Sequence, residues 1–274
     1  MKRQDTDKLV RLDFDGMGDL LEYLKDIPKD NYSVTHCKNE WAGGSFKHAV
    51  DLARHGDPTR AQNIYEGVCK MKNEMLADDT SWRRDVAGAY FDVGDFLAGE
   101  PECFWEQQDE PAKPVVEVIV NASMNAAVEA DVIRNRGAAA VALCDALAND
   151  GYTIDLQVVQ VSSKLPLQGR MFESVVHFPN NPLDLDAVSY AVSNAGYVRR
   201  LGFGLKEMVT GYSNLNPVCF YGMPDDIKPE AGQIYFTSSN HRSFSEYDYE
   251  TPERAARHIL EALKDFDGTK AVSI

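Results

Sequence analysis

Residues 115–162 read VVEVIVNASMNAAVEADVIRNRGAAAVALCDALANDGYTIDLQVVQVS, and this stretch decides the fold. It opens with an apolar, β-branched run at residues 115–120, which is typical of a strand buried on both faces. From about residue 128 to residue 149, apolar side chains recur at three- and four-residue steps and predict a helix. Gly151 ends that helix, and residues 153–161 predict a second strand. A strand, a helix and a strand in this order predict a right-handed crossover in a parallel sheet.

The rest of the carboxyl-terminal half continues this alternation. Helices are predicted at residues 185–195, before Gly196, and from Thr251 onward, where Pro252 favours a helix start. About five strands therefore alternate with helices after residue 115. The further strands are predicted at residues 172–178, 217–221 and 233–237.

The amino-terminal part looks different. Residues 1–33 are polar and acidic and predict a solvated capping segment with one short helix, and residues 61–110 predict mostly helix followed by loop. The predicted fold class is therefore α/β, with a mostly parallel, Rossmann-like sheet flanked by helices in residues 115–274. An α-rich amino-terminal region is expected in residues 1–110, and the two regions are compatible with packing as one unit.

Composition limits the classes of protein that the chain can represent. Of its 274 residues, 44% are apolar and 10% aromatic, which indicates a globular fold. No run of about 18 apolar residues occurs, and the first thirty residues are dense in Asp and Lys, so neither a membrane span nor a signal peptide is predicted. We therefore expect a cytoplasmic protein with no membrane partner. The five cysteines are scattered without a Cys-x-x-Cys pair, which favours reduced thiols over a zinc site.

The charge is strongly acidic overall and uneven along the chain. A net charge of −15 disfavours non-specific binding to duplex DNA and to membranes. Residues 161–220 nevertheless contain five basic and four acidic side chains. The sequence therefore allows a locally basic surface on an acidic protein.

Polar side chains follow the first strand of the crossover. Ligands of parallel sheets collect at the carboxyl ends of strands, and here that position holds Asn121, Ser123 and Asn125. This loop resembles the Asp-x-Ser-x-Ser metal-binding loop at the end of the first strand of von Willebrand factor A-like domains. Asn121 stands in place of the aspartate and Asn125 in place of the last serine. Because hard divalent cations favour carboxylate ligands, the resemblance implies the fold without its metal, and no cofactor is predicted.

Two segments combine aromatic and basic residues. Residues 197–206 predict an exposed loop that interleaves rings and cations with flexible glycines, and residues 82–84 place a tryptophan beside two arginines. Proteins that bind single strands use cations along the phosphates and rings that stack on bases. The alternative is that the rings belong to the core and the cations are solvated. The predicted DNA-binding residues are Trp82, Arg83, Arg84, Tyr197, Arg199, Arg200, Phe203 and Lys206, with Lys47, Arg54, Arg60, His241 and Arg242 as secondary candidates.

A second resemblance rests on two helix segments. One begins at Trp41-x-Gly43-Gly44-Ser45 and the other contains Arg134-Asn-Arg136-Gly137-Ala-Ala. Together they resemble a family of tailed-phage proteins that includes the single-stranded DNA-binding RNA polymerase cofactor of podoviruses with a giant virion RNA polymerase. The resemblance implies two partners, single-stranded DNA and a phage-encoded RNA polymerase, and a role at melted promoters in the host cytoplasm. No site residues of that family are carried over to this chain.

Three classes of function remain, and catalysis is the least favoured. None of the six histidines falls in a hydrolase or metalloprotease motif, and His48 and His55 lie two helical turns apart. We therefore do not predict an enzyme. The two segments of aromatic and basic residues favour binding of single-stranded DNA, and the phage resemblance implies that the chain acts as a transcription cofactor. The alternative is a non-catalytic von Willebrand A-like protein-interaction module that binds no nucleic acid and docks a basic partner through residues 121–125 and 237–242. The oligomeric state, including a homo-oligomer, stays open.

Overall fold

The computed structural model describes residues 1–57, 82–87, 90–97, 100–107, 115–149, 151–178, 185–215, 221–264, 266 and 270–274. The strands in chain order are Lys2–Asp5 (β1), Leu9–Phe14 (β2), Trp82–Asp85 (β3), Tyr90–Phe91 (β4), Phe104–Gln107 (β5), Val115–Asn121 (β6), Thr153–Ser163 (β7), Met171–Phe178 (β8), Met223–Pro224 (β9), Gln233–Phe236 (β10) and Val272–Ser273 (β11). The α-helices are Met17–Leu24 (α1), Tyr32–Thr35 (α2), Phe46–His55 (α3), Val93–Leu97 (α4), Ala130–Asn149 (α5), Leu185–Ser193 (α6), Phe203–Thr210 (α7) and Pro252–Leu263 (α8). A π-helix spans Tyr197–Gly202 and a 3₁₀-helix Glu246–Tyr249.

Within the described part of the chain, the main sheet has eight strands in the order β1-β2-β8-β7-β6-β10-β11, with β9 paired to β7. Four neighbouring pairs are parallel, namely β2 with β8, β6 with β7, β6 with β10 and β10 with β11. The pairs β1–β2, β7–β8 and β7–β9 are antiparallel. The mixed α/β class with a mostly parallel sheet is therefore confirmed, and so is the crossover in which α5 connects β6 to β7.

The core follows from the alternation of side chains along β6. Val116, Val118 and Val120 are buried in the principal core, where helix residues of α5, α6 and α8 pack. Ile119 points to the opposite face and joins a smaller apolar cluster with Tyr235. Because successive strand residues face opposite sides, an apolar run without alternation is what a sheet with two buried faces requires.

The amino-terminal expectation needs correction. Residues 2–14 are not a solvated cap, because β1 and β2 extend the main sheet and β2 pairs with β8 over its whole length. The described part of residues 61–110 also contains a second sheet, in the order β3-β5-β4, where helix followed by loop was expected. Of the strand predicted at residues 217–221, only Tyr221 is described. Among the residues that the structure describes, no helix combines the length and apolar character that crossing a bilayer requires.

Residues 197–206 were expected to form a loop with flexible glycines, and this is wrong. They form the π-helix and the start of α7, and most of their side chains are buried. Gly202 faces the side chain of Gln160, and a Cβ atom there would lie 2.1 Å from Gln160 Oε1. The glycine therefore allows close packing against β7 rather than flexibility.

Candidate functional site

The carboxyl ends of β6, β7 and β10 meet at one edge of the sheet, because β6 runs parallel to both of its neighbours. We call this the carboxyl edge; it is formed by residues 121–125, 162–164 and 237–242, which end or directly follow these three strands. Open parallel sheets bind their ligands at such an edge. The described structure places two adjoining clefts there.

Asn121 is fully buried at the centre of the carboxyl edge. Its Nδ2 lies 2.8 Å from the carbonyl oxygen of Asp225, 2.8 Å from the hydroxyl of Tyr235 and 3.2 Å from Oδ1 of Asp226. Its Oδ1 accepts a hydrogen bond of 3.0 Å from the backbone N–H of Ser123. This bond fixes the amide with its NH₂ group toward the three oxygen atoms.

Asp226 is the acid of this network, and sequence reasoning missed it. Its Oδ1 accepts from the Ser238 N–H at 2.7 Å and from the Tyr235 hydroxyl at 3.1 Å, and its Oδ2 accepts from Ser238 Oγ at 3.0 Å. Burial, and next the charge of Asp226, raise the pKa of Tyr235, which therefore stays a neutral donor. Asp226 lies 105 residues from Asn121 along the chain, and the only signal in the sequence is the pair Asp225-Asp226 itself.

The residues at this position do not fit the divalent cation that the corresponding loop of von Willebrand factor A-like domains binds. The Asn121 NH₂ group is directed at the Asp226 carboxylate, and hydrogen bonds already occupy both oxygens of that carboxylate. Ser123 Oγ accepts from the backbone N–H of Val161 at 2.8 Å. Among the described residues, no group of three or more His, Cys, Asp or Glu side chains is arranged to hold a metal.

The first cleft, of about 390 Å³, is walled by aromatic rings, and we call it the aromatic cleft. The Phe203 and Tyr221 rings are stacked with centroids 3.8 Å apart, and the Trp41 ring lies 6.0 Å from Phe203 at a tilt of 44°. Ser123 and Ser162 contribute buried polar atoms. The remaining lining residues are Met124, Asn125, Ala126, Val198, Arg199, Lys206, Gly222, Met223 and Pro224.

Two cations lie behind these rings. The Arg199 guanidinium is 4.3 Å from the Trp41 ring centroid and donates to the carbonyls of Trp41 and Val128 at 2.6 and 2.7 Å. Burial lowers the pKa of Arg199 to about 10, so it stays charged at neutral pH. Lys206 Nζ is 5.8 Å from the Phe203 centroid and donates to the Tyr221 carbonyl at 3.1 Å. Cations near ring faces are attracted by the ring quadrupole, so both stabilise the aromatic wall.

Tyr221 has a strained backbone, with φ of +72°. Positive φ is a genuine outlier for a bulky side chain and costs on the order of 1–3 kcal/mol unless the surroundings impose it. Lys206 donates a hydrogen bond to the carbonyl of Tyr221, and the Glu207 carboxylate accepts one from the hydroxyl of Tyr221. Glu207 also accepts from Ser33 N–H at 3.0 Å and Ser33 Oγ at 2.6 Å. These bonds fix the ring that stacks on Phe203.

The second cleft, of about 470 Å³, adjoins the first through Met223 and Pro224, which line both. We call it the cationic cleft, because Lys164 and Arg242 are exposed on it. Asn240 Nδ2 donates to the Pro224 carbonyl at 2.9 Å and so ties the two walls together. The other lining residues are Ser163, Asp225, Asp226 and His241.

A family model described as "Domain of unknown function (DUF7192)" matches residues 2–267. The chain belongs to this family. No curated protein matches it, and no solved structure matches it.

The edge collects five of the sequence-predicted site residues of this DUF7192 chain. Arg199, Phe203 and Lys206 line the aromatic cleft, and His241 and Arg242 line the cationic cleft. Phe203 is half-buried and open to the cleft, whereas Arg199 and Lys206 are 4% and 5% exposed and bond to carbonyls. The prediction that these two cations follow phosphates along an exposed loop is therefore wrong.

The prediction that Tyr197 and Arg200 contact DNA is also wrong, because both side chains are buried. Tyr197 is fully buried, and Arg200 is 1% exposed. Arg200 donates to the carbonyls of Ser33 and Cys37 at 2.6 Å each. It also bonds the Gly44 carbonyl at 2.9 Å and Asn39 Oδ1 at 2.7 Å. Its donors are consumed in holding residues 33–44 against the π-helix, so it cannot serve as a phosphate contact.

The remaining candidates lie elsewhere. Arg84 is on β3 and forms an ion pair of 2.7 Å with Asp95. The side chains of Trp82 and Arg83, and all of Arg60, lie outside the described residues. Lys47 and Arg54 are exposed on α3. Sequence reasoning assigned no ligand contact to Trp41 or Tyr221, although Trp41 stands in the Trp-x-Gly-Gly-Ser turn that it singled out.

Proposed function

We propose that this chain is a non-catalytic, von Willebrand A-like binding module that holds single-stranded DNA at its carboxyl edge. Two features support the fold assignment. The strand β6, whose following loop carries Asn121, Ser123 and Asn125, lies inside the sheet with a parallel strand on each side. Polar side chains from three segments meet at its end, where the resemblance implies the ligand site.

The observation that carries the proposed ligand is the aromatic cleft. Half-buried Trp41 and Phe203 line an open space, with Arg199 and Lys206 placed against the ring faces. Base stacking on such rings is worth roughly 1–3 kcal/mol per base and tolerates any base. The cleft offers rings to a base without requiring a basic surface over the whole chain, which suits a protein with a net charge of −15.

Phe203→Leu tests this proposal, because it removes the stacking ring and keeps an apolar side chain against Tyr221. We expect the affinity for a fluorescent oligothymidylate to fall roughly 5- to 100-fold, as measured by fluorescence anisotropy. Tyr247→Leu is the matched control, since Tyr247 is an exposed ring that contacts Arg254 on α8. Equal affinities of the wild type and Phe203→Leu, with unchanged thermal unfolding, would contradict the aromatic cleft as the base site.

The second candidate is a protein-interaction module that binds no nucleic acid. Met124, Met223 and Pro224 favour it, because they give the aromatic cleft an apolar and adaptable lining suited to a protein side chain. The acidic chain would suit a basic partner. Failure of the folded wild type to bind the oligonucleotide at low salt, together with capture of a purified phage RNA polymerase, would favour this candidate. Polymerase capture that requires the oligonucleotide would instead support the cofactor role that the phage resemblance implies.

A further inference from the structure

We infer that the cationic cleft binds a backbone phosphate of the same strand whose base occupies the aromatic cleft. This inference rests on the proposed function and assigns a second subsite to it. The two clefts share Met223 and Pro224 as a common wall. A nucleotide joins a planar base to a phosphate through one sugar, so neighbouring aromatic and cationic clefts match its two chemical parts.

The charges of the cationic cleft support a phosphate. Lys164 and Arg242 are exposed, and the structure gives neither of them an ionic partner among the described residues. Several other arginines are paired with acids, as Arg11 is with Glu173 and Arg254 with Glu250. Lys164 and Arg242, which have no acidic partner among the described residues, are therefore available to bind an anion.

The two acids that line this cleft are less exposed than its two cations. Both carboxylate oxygens of Asp226 accept hydrogen bonds from Ser238, and Oδ1 also accepts from Asn121 and Tyr235. Asp225 accepts from the Asp226 N–H at 2.9 Å. These donors are neutral, so both carboxylates keep their charge, and the formal charges of Asp225, Asp226, Lys164 and Arg242 sum to zero. The two acids are half-buried, whereas Lys164 and Arg242 are exposed, so the positive charge lies on the solvent side from which a phosphate would approach.

The backbone of Lys164 is a second, independent sign of a functional position. Its φ is +60°, a left-handed conformation that is uncommon outside glycine, asparagine and aspartate. The preceding residues Ser162 and Ser163 are fixed by pairing with Pro224 and Met223 of β9. The strand therefore ends abruptly and turns Lys164 onto the cleft. Strained residues of this kind collect at ligand sites, where the surrounding structure imposes them.

The test is the salt dependence of oligothymidylate binding by the full chain. The double variant Lys164→Asn/Arg242→Gln removes both charges, and asparagine tolerates the left-handed conformation at position 164. A plot of log affinity against log salt concentration should become shallower by about 0.7 for each phosphate that the two side chains neutralise. The affinity should fall at low salt and approach that of the wild type at high salt.

The control Arg257→Gln/Lys264→Gln removes the same net charge from exposed positions on α8 and directly after it, which line neither cleft, and should leave the slope unchanged. If both double variants lose slope equally, net charge is the cause and the phosphate site is overturned. If the wild type binds, Phe203→Leu weakens binding and Lys164→Asn/Arg242→Gln keeps the wild-type slope, the phosphate site is overturned while the proposed function stands. If the folded wild type does not bind the oligonucleotide at all, both fall.

Discussion

Asn121 connects oxygen atoms from separate segments with a single amide group. Its NH₂ group contacts the Asp225 carbonyl, the Asp226 carboxylate and the Tyr235 hydroxyl at 2.8–3.2 Å. An amide provides donors without adding charge, so the nearby carboxylate is stabilised and no ion is required. The identity of this one residue therefore decides whether the end of β6 is a hydrogen-bonded junction or a cation site.

Asn121→Asp tests that argument. The substitution places a second carboxylate beside Asp226 in a fully buried position, and we expect the free energy of unfolding at neutral pH to fall by about 3–5 kcal/mol. Two carboxylates with the Ser123 and Ser238 hydroxyls are hard oxygen ligands, so Mg²⁺ or Mn²⁺ should restore thermal stability to the variant. The wild type, and Asn121→Leu as a control without the new charge, should show no such restoration. A melting temperature of Asn121→Asp that does not respond to either ion would contradict this account.

Arg199 and Arg200 show why charge and aromatic content misled the sequence prediction. Adjacent arginines beside rings are typical of nucleic-acid surfaces, but here main-chain carbonyls solvate both guanidinium groups. The acceptors for Arg200 come from residues 33–44, more than 150 positions earlier in the chain. The sequence around an arginine does not show whether its side chain is buried or solvated, because the carbonyl groups that accept its hydrogen bonds come from distant parts of the chain.

The contact of α5 with α6 depends on Gly137. A Cβ atom at this position would lie 2.4 Å from the Val192 carbonyl oxygen and 2.8 Å from Ser193 Cα, which are backbone atoms that cannot rotate away. Gly18 in α1 is the opposite case, because a Cβ there meets nothing within 4 Å. A substitution at Gly137 therefore tests the close packing of two helices, whereas the same substitution at Gly18 tests helix propensity alone.

Gly137→Ala should destabilise the protein by at least about 1–3 kcal/mol, because α5 and α6 must move apart. Gly18→Ala should instead stabilise it by up to about 1 kcal/mol, because alanine lowers the entropy of the unfolded chain and favours the helix. Chemical denaturation of both variants measures whether the free energy of unfolding falls or rises in each. A stabilising effect of Gly137→Ala would mean that the helices can separate without loss, and the importance of this glycine for packing would be refuted.

The elements that the sequence predicted well are those whose pattern is local. The apolar run of β6, the helical spacing of α5 and the start of α8 at Thr251-Pro252 all depend on neighbours within a few turns. In the structure, Thr251 Oγ1 accepts a hydrogen bond from the Arg254 N–H and so caps α8. The strand β2 was missed because its partner β8 lies about 160 residues away, and β1 was missed with it because it pairs with β2 at the edge of the sheet. Polar exposed residues of an edge strand carry little strand signal of their own.

The candidate site was predictable only in part, because it is assembled from the whole length of the chain. The polar loop after β6 and the cluster from Thr237 to Arg242 were expected at the carboxyl ends of strands, and both lie at the carboxyl edge. The aromatic wall combines Trp41, Phe203 and Tyr221 from segments that no local pattern connects. A net charge of −15 is likewise a poor guide to one cleft, since it averages over 43 acidic and 28 basic side chains.

Glu207 makes this assembly sensitive to pH. It lies 1% exposed among donors from Ser33 and Tyr221, and it thereby links α2, α7 and the wall of the aromatic cleft. Burial raises the pKa of Glu207, and the hydrogen bonds from Ser33 and Tyr221 oppose the rise without cancelling it. The folded protein therefore binds the Glu207 proton more tightly than the unfolded chain does.

The sign of the resulting pH dependence follows from linkage. Below the ordinary pKa of a glutamate, about 4.3, the stabilising contribution of the protonated Glu207 is complete. As the pH rises toward the raised pKa of the folded state, the unfolded chain releases its proton first, so the free energy of unfolding decreases, by about 1.4 kcal/mol for each unit of the rise. Glu207→Gln lacks this proton, so the stability of the wild type relative to this variant should fall from pH 4 toward neutral and then become constant.

Urea unfolding at intervals of pH measures the difference, with Glu261→Gln on the exposed face of α8 as the matched control. A difference that grows in favour of the wild type as the pH rises would mean that the fold stabilises the ionised carboxylate, and that the donors from Ser33 and Tyr221 outweigh burial.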